Sequence, residues 1–163
     1  MTLTVYSAPG SYRGPDALDI TRLGFSGKPD AHGVLFAPSW SILKPYLDAR
    51  NEWEALEREA GDLGRMWEGA ERFAYYAQAD RMKREAWATY LPAYTEEMRA
   101  SYKANRSAWL AELKRERRVY QCFCPVDKTK PIEDQHCHRI VFRGIIAKVG
   151  AFHGVQVIDG GEL

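Results

Sequence analysis

Cysteine is scarce in this chain, with three residues in 163, and all three fall between positions 122 and 137. An odd, clustered set excludes a disulfide framework of the kind that staples secreted domains, so a reducing cytoplasm is the expected compartment. Charge of one sign is lacking too. Lys and Arg number 23 against 22 for Asp and Glu, which removes any overall pull toward nucleic acid or an anionic membrane surface. No apolar run approaches the roughly 20 residues of a membrane span. The opening Met1-Thr2-Leu3-Thr4-Val5-Tyr6 has no basic region followed by a long apolar stretch, so no signal peptide is expected. There is no internal repeat and no low-complexity tract. Ser-His-Asp spacing, a glycine-rich phosphate loop and a paired-histidine metalloprotease motif are absent as well.

What is present has a clear order. Leu3 to Ser7 alternates like a strand and is broken by Pro9-Gly10 and Gly14-Pro15. Short strand patterns follow at 18–22 and 34–36. Ser39 is placed to cap a helix running to about Arg50, which Pro45 should kink or stop. Residues 52–117 are rich in helix formers. Tyr90, Tyr94, Met98 and Tyr102 recur every four residues, with Pro92 suited to a first turn and Asn105 to a join between helices. A strand over 118–124, a helix over 139–149 and a closing strand over 155–158 complete the pattern. Strands first, helices in the middle and a terminal strand–helix–strand unit predict a single α/β domain over 1–163: compact, Rossmann-like and three-layered, with a small, mostly parallel sheet and a helical block at about 52–117.

In such a sheet, ligands gather outside the carboxyl ends of the strands. Those ends are Ser7 to Arg13, Ala37 to Trp40, and Cys124 to Arg139. Cys137-His138-Arg139 at a helix start offers free backbone N–H groups and a guanidinium suited to phosphate or carboxylate, and Arg13 and Arg22 are placed to reach the same cleft. Trp40, beside Ser39, and Tyr102 are candidates to flank an organic moiety, with packing under a helix as the simpler role of each. Cys124 and His138 border the same cleft. A thiolate at Cys137 is a candidate nucleophile. Glu162, after Gly160-Gly161, is the candidate acid/base group, for instance in cleavage or transfer at a glycosidic bond.

A zinc site from Cys122, Cys124, Cys137 and a neighbouring histidine is the weaker reading. Positions 122 and 124 would share one face of a strand, whereas structural zinc sites favour two to four residues between ligands on a turn. No metal ligand and no cofactor is therefore expected, and Cys122 is read as core.

The segments Leu18-Asp19-Ile20-Thr21-Arg22, Phe36-Ala37-Pro38-Ser39-Trp40, Tyr94 to Met98 with Ser101-Tyr102, Trp109, Cys122-Phe123-Cys124, Cys137-His138-Arg139 and Gly161-Glu162 occur in an order that resembles the domain of unknown function 488 family, in particular its small variants from bacteriophages and bacteria. The resemblance implies a Rossmann-like fold and a cleft at the carboxyl ends of the strands; it implies no particular reaction. The stretch between Cys124 and Cys137 is longer and more charged than the short turn the resemblance leads one to expect. The expected function is binding of, and action on, a phosphorylated small molecule such as a nucleotide or nucleotide sugar. The alternatives are a non-catalytic nucleotide or nucleic-acid binding module, including a phage counter-defence protein, and a zinc-binding structural or interaction protein. No membrane partner is expected.

Overall fold

The computed structural model describes residues 1–66, 69–124, 131 and 135–163, the side chains of 63–66 excepted. The chain is α/β and Rossmann-like, with four parallel strands and a helical block. Strand β1 is Thr2–Pro9, β2 Ala17–Asp19, β3 Arg117–Cys122 and β4 Gln156–Glu162; the helices are α1 Trp40–Met66, α2 Ala70–Ala104, α3 Arg106–Leu113 and α4 His138–Phe152. The strand order is β2-β3-β1-β4, and every pairing is parallel. The two central strands carry the core: Leu3, Val5, Ser7 and Ala8 of β1 and Val119, Tyr120 and Cys122 of β3 are all sealed from solvent. Near-continuous burial of this kind marks a parallel sheet covered on both faces. Helix α4 contributes its own buried face through Phe142, Ile146 and Gly150, together with His138, Arg139 and Arg143.

The chain packs as two compact units, one of 1–38 with 95–163 and one of 39–94. The sheet belongs to the first. In the second, Tyr46 of α1 meets Trp53, Trp87 and Tyr90 at ring separations of 5.6, 6.0 and 5.0 Å, and Lys83 pairs with Glu57 between the helices. The aromatic stripe is core, as helical spacing usually means: Tyr90, Tyr94 and Met98 are buried.

Several local expectations change. Residues 33–36 form a short 3-10 helix instead of a strand. Its start is tied by Asp30, whose carboxylate accepts from the N–H groups of His32 and Gly33 at 2.9 and 2.6 Å; a side chain that satisfies successive N–H groups favours a turn over a ladder. Pro45 does not end its helix, and Pro92 lies well inside α2 instead of in a first turn. One missing N–H costs less than the continuous run of helix formers and buried aromatics on either side returns. Most consequential, β3 ends at Cys122; Phe123 lies in a bend and Cys124 beyond it. Phe123 is exposed and packs edge-on against Phe25 at 4.4 Å. Much of the charged stretch between Cys124 and Cys137 lies outside the described residues. Among the described residues, no helix is long and apolar enough to cross a membrane.

Candidate metal centre

Because the chain bends at Phe123, Cys122 and Cys124 do not share one face of a strand. Their sulfurs meet Cys137, the residue capping α4, and His138, its first residue. The three Sγ atoms and one imidazole nitrogen all lie within 4.8 Å of one another. Cys122 Sγ stands 3.1 Å from Cys137 Sγ, too far for a bond, and Cys124 Sγ stands 3.9 Å from His138 Nδ1. The other ring nitrogen is committed: Nε2 lies 3.0 Å from the carbonyl oxygen of Ile20. A carbonyl only accepts, so Nε2 carries the hydrogen, and in the neutral ring Nδ1 holds the lone pair a metal needs. A backbone carbonyl fixing the far nitrogen is the usual partner of a metal-binding histidine.

The electrostatics point the same way. Burial opposes ionisation of Cys122, yet hydrogen bonds from Cys124 and Cys137, with the charges of His138 and Arg139, bring its thiol well below the ordinary range. Cys124 is pushed up to about 12, chiefly by its hydrogen bond to Cys122. Cys137 is raised well above its ordinary value, by burial first and then by the other two sulfurs. Of the three thiols, Cys122 is thus the one whose surroundings favour ionisation. A bound cation is what allows the second and third to ionise.

Of two buried arginines one turn apart on α4, Arg139 lies against this cluster and Arg143 is linked to it through Ser7 and Glu162. Arg139, fully sealed from solvent, donates from Nη1 to the carbonyl of Cys124 at 2.7 Å, to the carbonyl of Cys122 at 3.3 Å and to Cys122 Sγ at 3.2 Å. Its Nη2 donates to Glu162 Oε1 at 2.5 Å. Glu162 also accepts from the Ser7 hydroxyl, and Ser7 in turn accepts from Arg143 Nη1 at 2.8 Å. Arg143 Nε is 3.4 Å from the mostly exposed Asp159 carboxylate. Glu162 and Asp159 thus answer the two guanidinium charges. A divalent ion with three thiolates and a neutral imidazole would carry one negative charge, and Arg139 lies against one of the sulfurs that would share it.

The residues singled out in the sequence divide in three. Cys124, Cys137, His138, Arg139 and Glu162 come together at the carboxyl end of the sheet. Arg13, Arg22 and Tyr102 belong to the same unit but are engaged elsewhere. Exposed Arg13 donates to the carbonyls of Gly10 and Tyr12 at 2.6 and 2.9 Å. Arg22 ties down the carbonyls of Pro38 and Ala37 at 2.8 and 2.7 Å. The Tyr102 hydroxyl meets His153 Nε2 at 2.6 Å. Ser39 and Trp40 belong to the second unit, where Ser39 precedes α1 and Trp40 is largely exposed. The sequence assigned no role at the site to Ser7, Arg143 or the Ile20 carbonyl. Only Arg143 left a trace there: an arginine four residues after Arg139, in the apolar run Ile140-Val141-Phe142 and Ile145-Ile146, shares its helix face.

No family model, no curated protein and no solved structure matches this chain.

Proposed function

We propose that this chain is a zinc-binding α/β protein in which Cys122, Cys124, Cys137 and His138 hold one zinc ion in a closed structural site. The observation that carries the reading is the convergence, within 4.8 Å, of four ligand atoms from the end of β3 and the start of α4. Zn–S bonds of about 2.3 Å and Zn–N bonds of about 2.0–2.1 Å set the edges of a tetrahedron at about 3.5–3.8 Å, so small adjustments complete the shell. Three thiolates and an imidazole favour zinc over hard oxygen-seeking cations, and four protein ligands leave no position for substrate. The ion would join the end of a central strand to the helix that follows it, across a stretch rich in charge and poor in apolar residues.

Metal analysis with native and denaturing mass spectrometry tests this. One zinc per chain is expected, lost in Cys124→Ser and in His138→Ala. A chain that arrives bare and takes up neither zinc nor cobalt(II) overturns it. The same spectra register any nucleotide-like mass. A phosphorylated ligand held by Arg139 has to displace Glu162 first, so the reading based on that ligand expects such a mass to be strengthened by Glu162→Gln.

A further inference from the structure

The three sulfurs are not equivalent. Cys122 and Cys137 are 0% and 1% exposed and form the close pair at 3.1 Å. Cys124, past the end of β3, keeps part of its surface in solvent. Arg139 covers Cys122 Sγ with a hydrogen bond, and the Cys124 sulfur has no such guanidinium contact. An oxidant arriving from solvent therefore meets Cys124 first, while the pair best placed to bond lies behind it.

Resting on the zinc reading, we propose that the centre is an oxidation-sensitive latch: a peroxide enters at Cys124, and its two oxidising equivalents end in a Cys122–Cys137 disulfide with release of the metal. The Cys124 thiolate attacks the O–O bond, keeps one hydroxyl as sulfenic acid and expels hydroxide. The Cys137 thiolate, within 4.8 Å, attacks that sulfur and expels the second hydroxide, leaving a Cys124–Cys137 disulfide. The Cys122 thiolate, at 3.1 Å from Cys137 Sγ, then attacks the Cys137 sulfur and returns Cys124 as thiolate. Two thiolates are oxidised and one peroxide is reduced to two hydroxides. The last exchange closes a gap to a bond of about 2.05 Å and puts the leaving thiolate on the solvent side. Cys124 and His138 alone are half a ligand set, so zinc departs.

The test uses the whole zinc-loaded chain and hydrogen peroxide, with zinc release followed by a chromogenic chelator and disulfides mapped after alkylation without reduction. The expected result is one zinc and one Cys122–Cys137 bond per chain, both reversed by dithiothreitol. Because Cys124→Ser would lose the metal with the entry sulfur, the order of events is read on the zinc-loaded native chain. Sulfenic acid trapped during brief peroxide treatment should be found first at Cys124, since reactivity follows exposure. Sulfenic acid found first at Cys122 or Cys137 overturns the proposal, as does an end product bridged through Cys124 or a sulfinic acid without a disulfide. Limited iodoacetamide treatment of the same chain is the second measurement: Cys124 must be alkylated first, and modification beginning at Cys122 or Cys137 overturns the inference. Absence of zinc from the purified chain defeats the zinc reading separately. A zinc-loaded chain that gives the wrong disulfide map defeats the relay alone.

Discussion

His138 is anchored through Ile20: its Nε2 donates to that backbone carbonyl at 3.0 Å, and the ring's other nitrogen is thereby turned toward Cys124. The contact spans the sheet end from the loop after β2 to the first residue of α4. Ligand orientation is built into the backbone here, where no side-chain substitution at Ile20 removes it.

His138→Ala should lower zinc affinity by at least about 100-fold, above the range typical of outer-shell changes. His138→Cys should restore most of it, because a fourth thiolate is an accepted ligand. Competition with a chromophoric chelator reads both. Chelation of the native protein should lower its stability by about 4 kcal/mol relative to free zinc at a thousand times the dissociation constant, seen as a fall in Tm.

Glu162→Gln removes the charge that holds Arg139 over the Cys122 sulfur and the two carbonyls. Zinc affinity should fall by about 10–100-fold while the four ligands remain. An unchanged affinity would separate the arginine network from the metal.

A second buried carboxylate supports the other end of β3. Glu112, fully sealed from solvent, accepts from Arg118 at 2.8 and 2.6 Å and lies 2.6 Å from His32 Nε2. Burial opposes its ionisation, but the hydrogen bonds and charges of Arg118 and His32 outweigh it and leave Glu112 below the usual carboxylate range. Glu112→Ala should cost about 3–5 kcal/mol in urea unfolding, because Arg118 stays buried without its partner.

The sign of the pH effect follows from that lowered value. Unfolded, the carboxyl titrates near about 4.3; folded, it titrates lower. Its contribution is complete above the unfolded value and is lost as the pH falls through the folded one. Acid should therefore reduce the Tm of the native chain more steeply than that of Glu112→Gln, compared from about pH 5 downward.

Gly150 lets α4 approach β4. A methyl group there would collide with Val157 and sit 3.1 Å from the Val155 carbonyl. Gly150→Ala should destabilise by about 1–3 kcal/mol, the usual cost of overpacking, although alanine is the better helix former. Thermal unfolding would show which term wins.

The order of strands and helices was legible in the sequence because it rests on local period. Alternation marks 3–7, an apolar stripe spaced by four marks 90–102, and the final strand–helix–strand unit reads from its own residues. Where the local pattern competed with turn chemistry, it misled. The apolar residues 34–36 looked like a strand, yet the Asp30 carboxylate turns them into a 3-10 helix. Cys122-Phe123-Cys124 looked like continued strand because all three residues suit one, which would set both sulfurs on one face at a spacing zinc sites do not favour. The strand stops at Cys122 because β1, its central partner, ends at Pro9, which pairs with Cys122 in register. A ladder cannot outlast its partner's donors and acceptors.

By itself, then, the sequence determined the α/β class, the helical middle and the crowding of thiols and imidazoles beside one strand end, since each depends on residues near one another in the chain. Tertiary structure alone decided which of these groups face each other. The pairing of Ser7 with Glu162 follows from the parallel register of β1 on β4, and the commitment of His138 to Ile20 and the close approach of Cys122 to Cys137 from where α4 starts against the sheet end. That register is set by burying whole faces of the sheet at once, and no local window of sequence contains it.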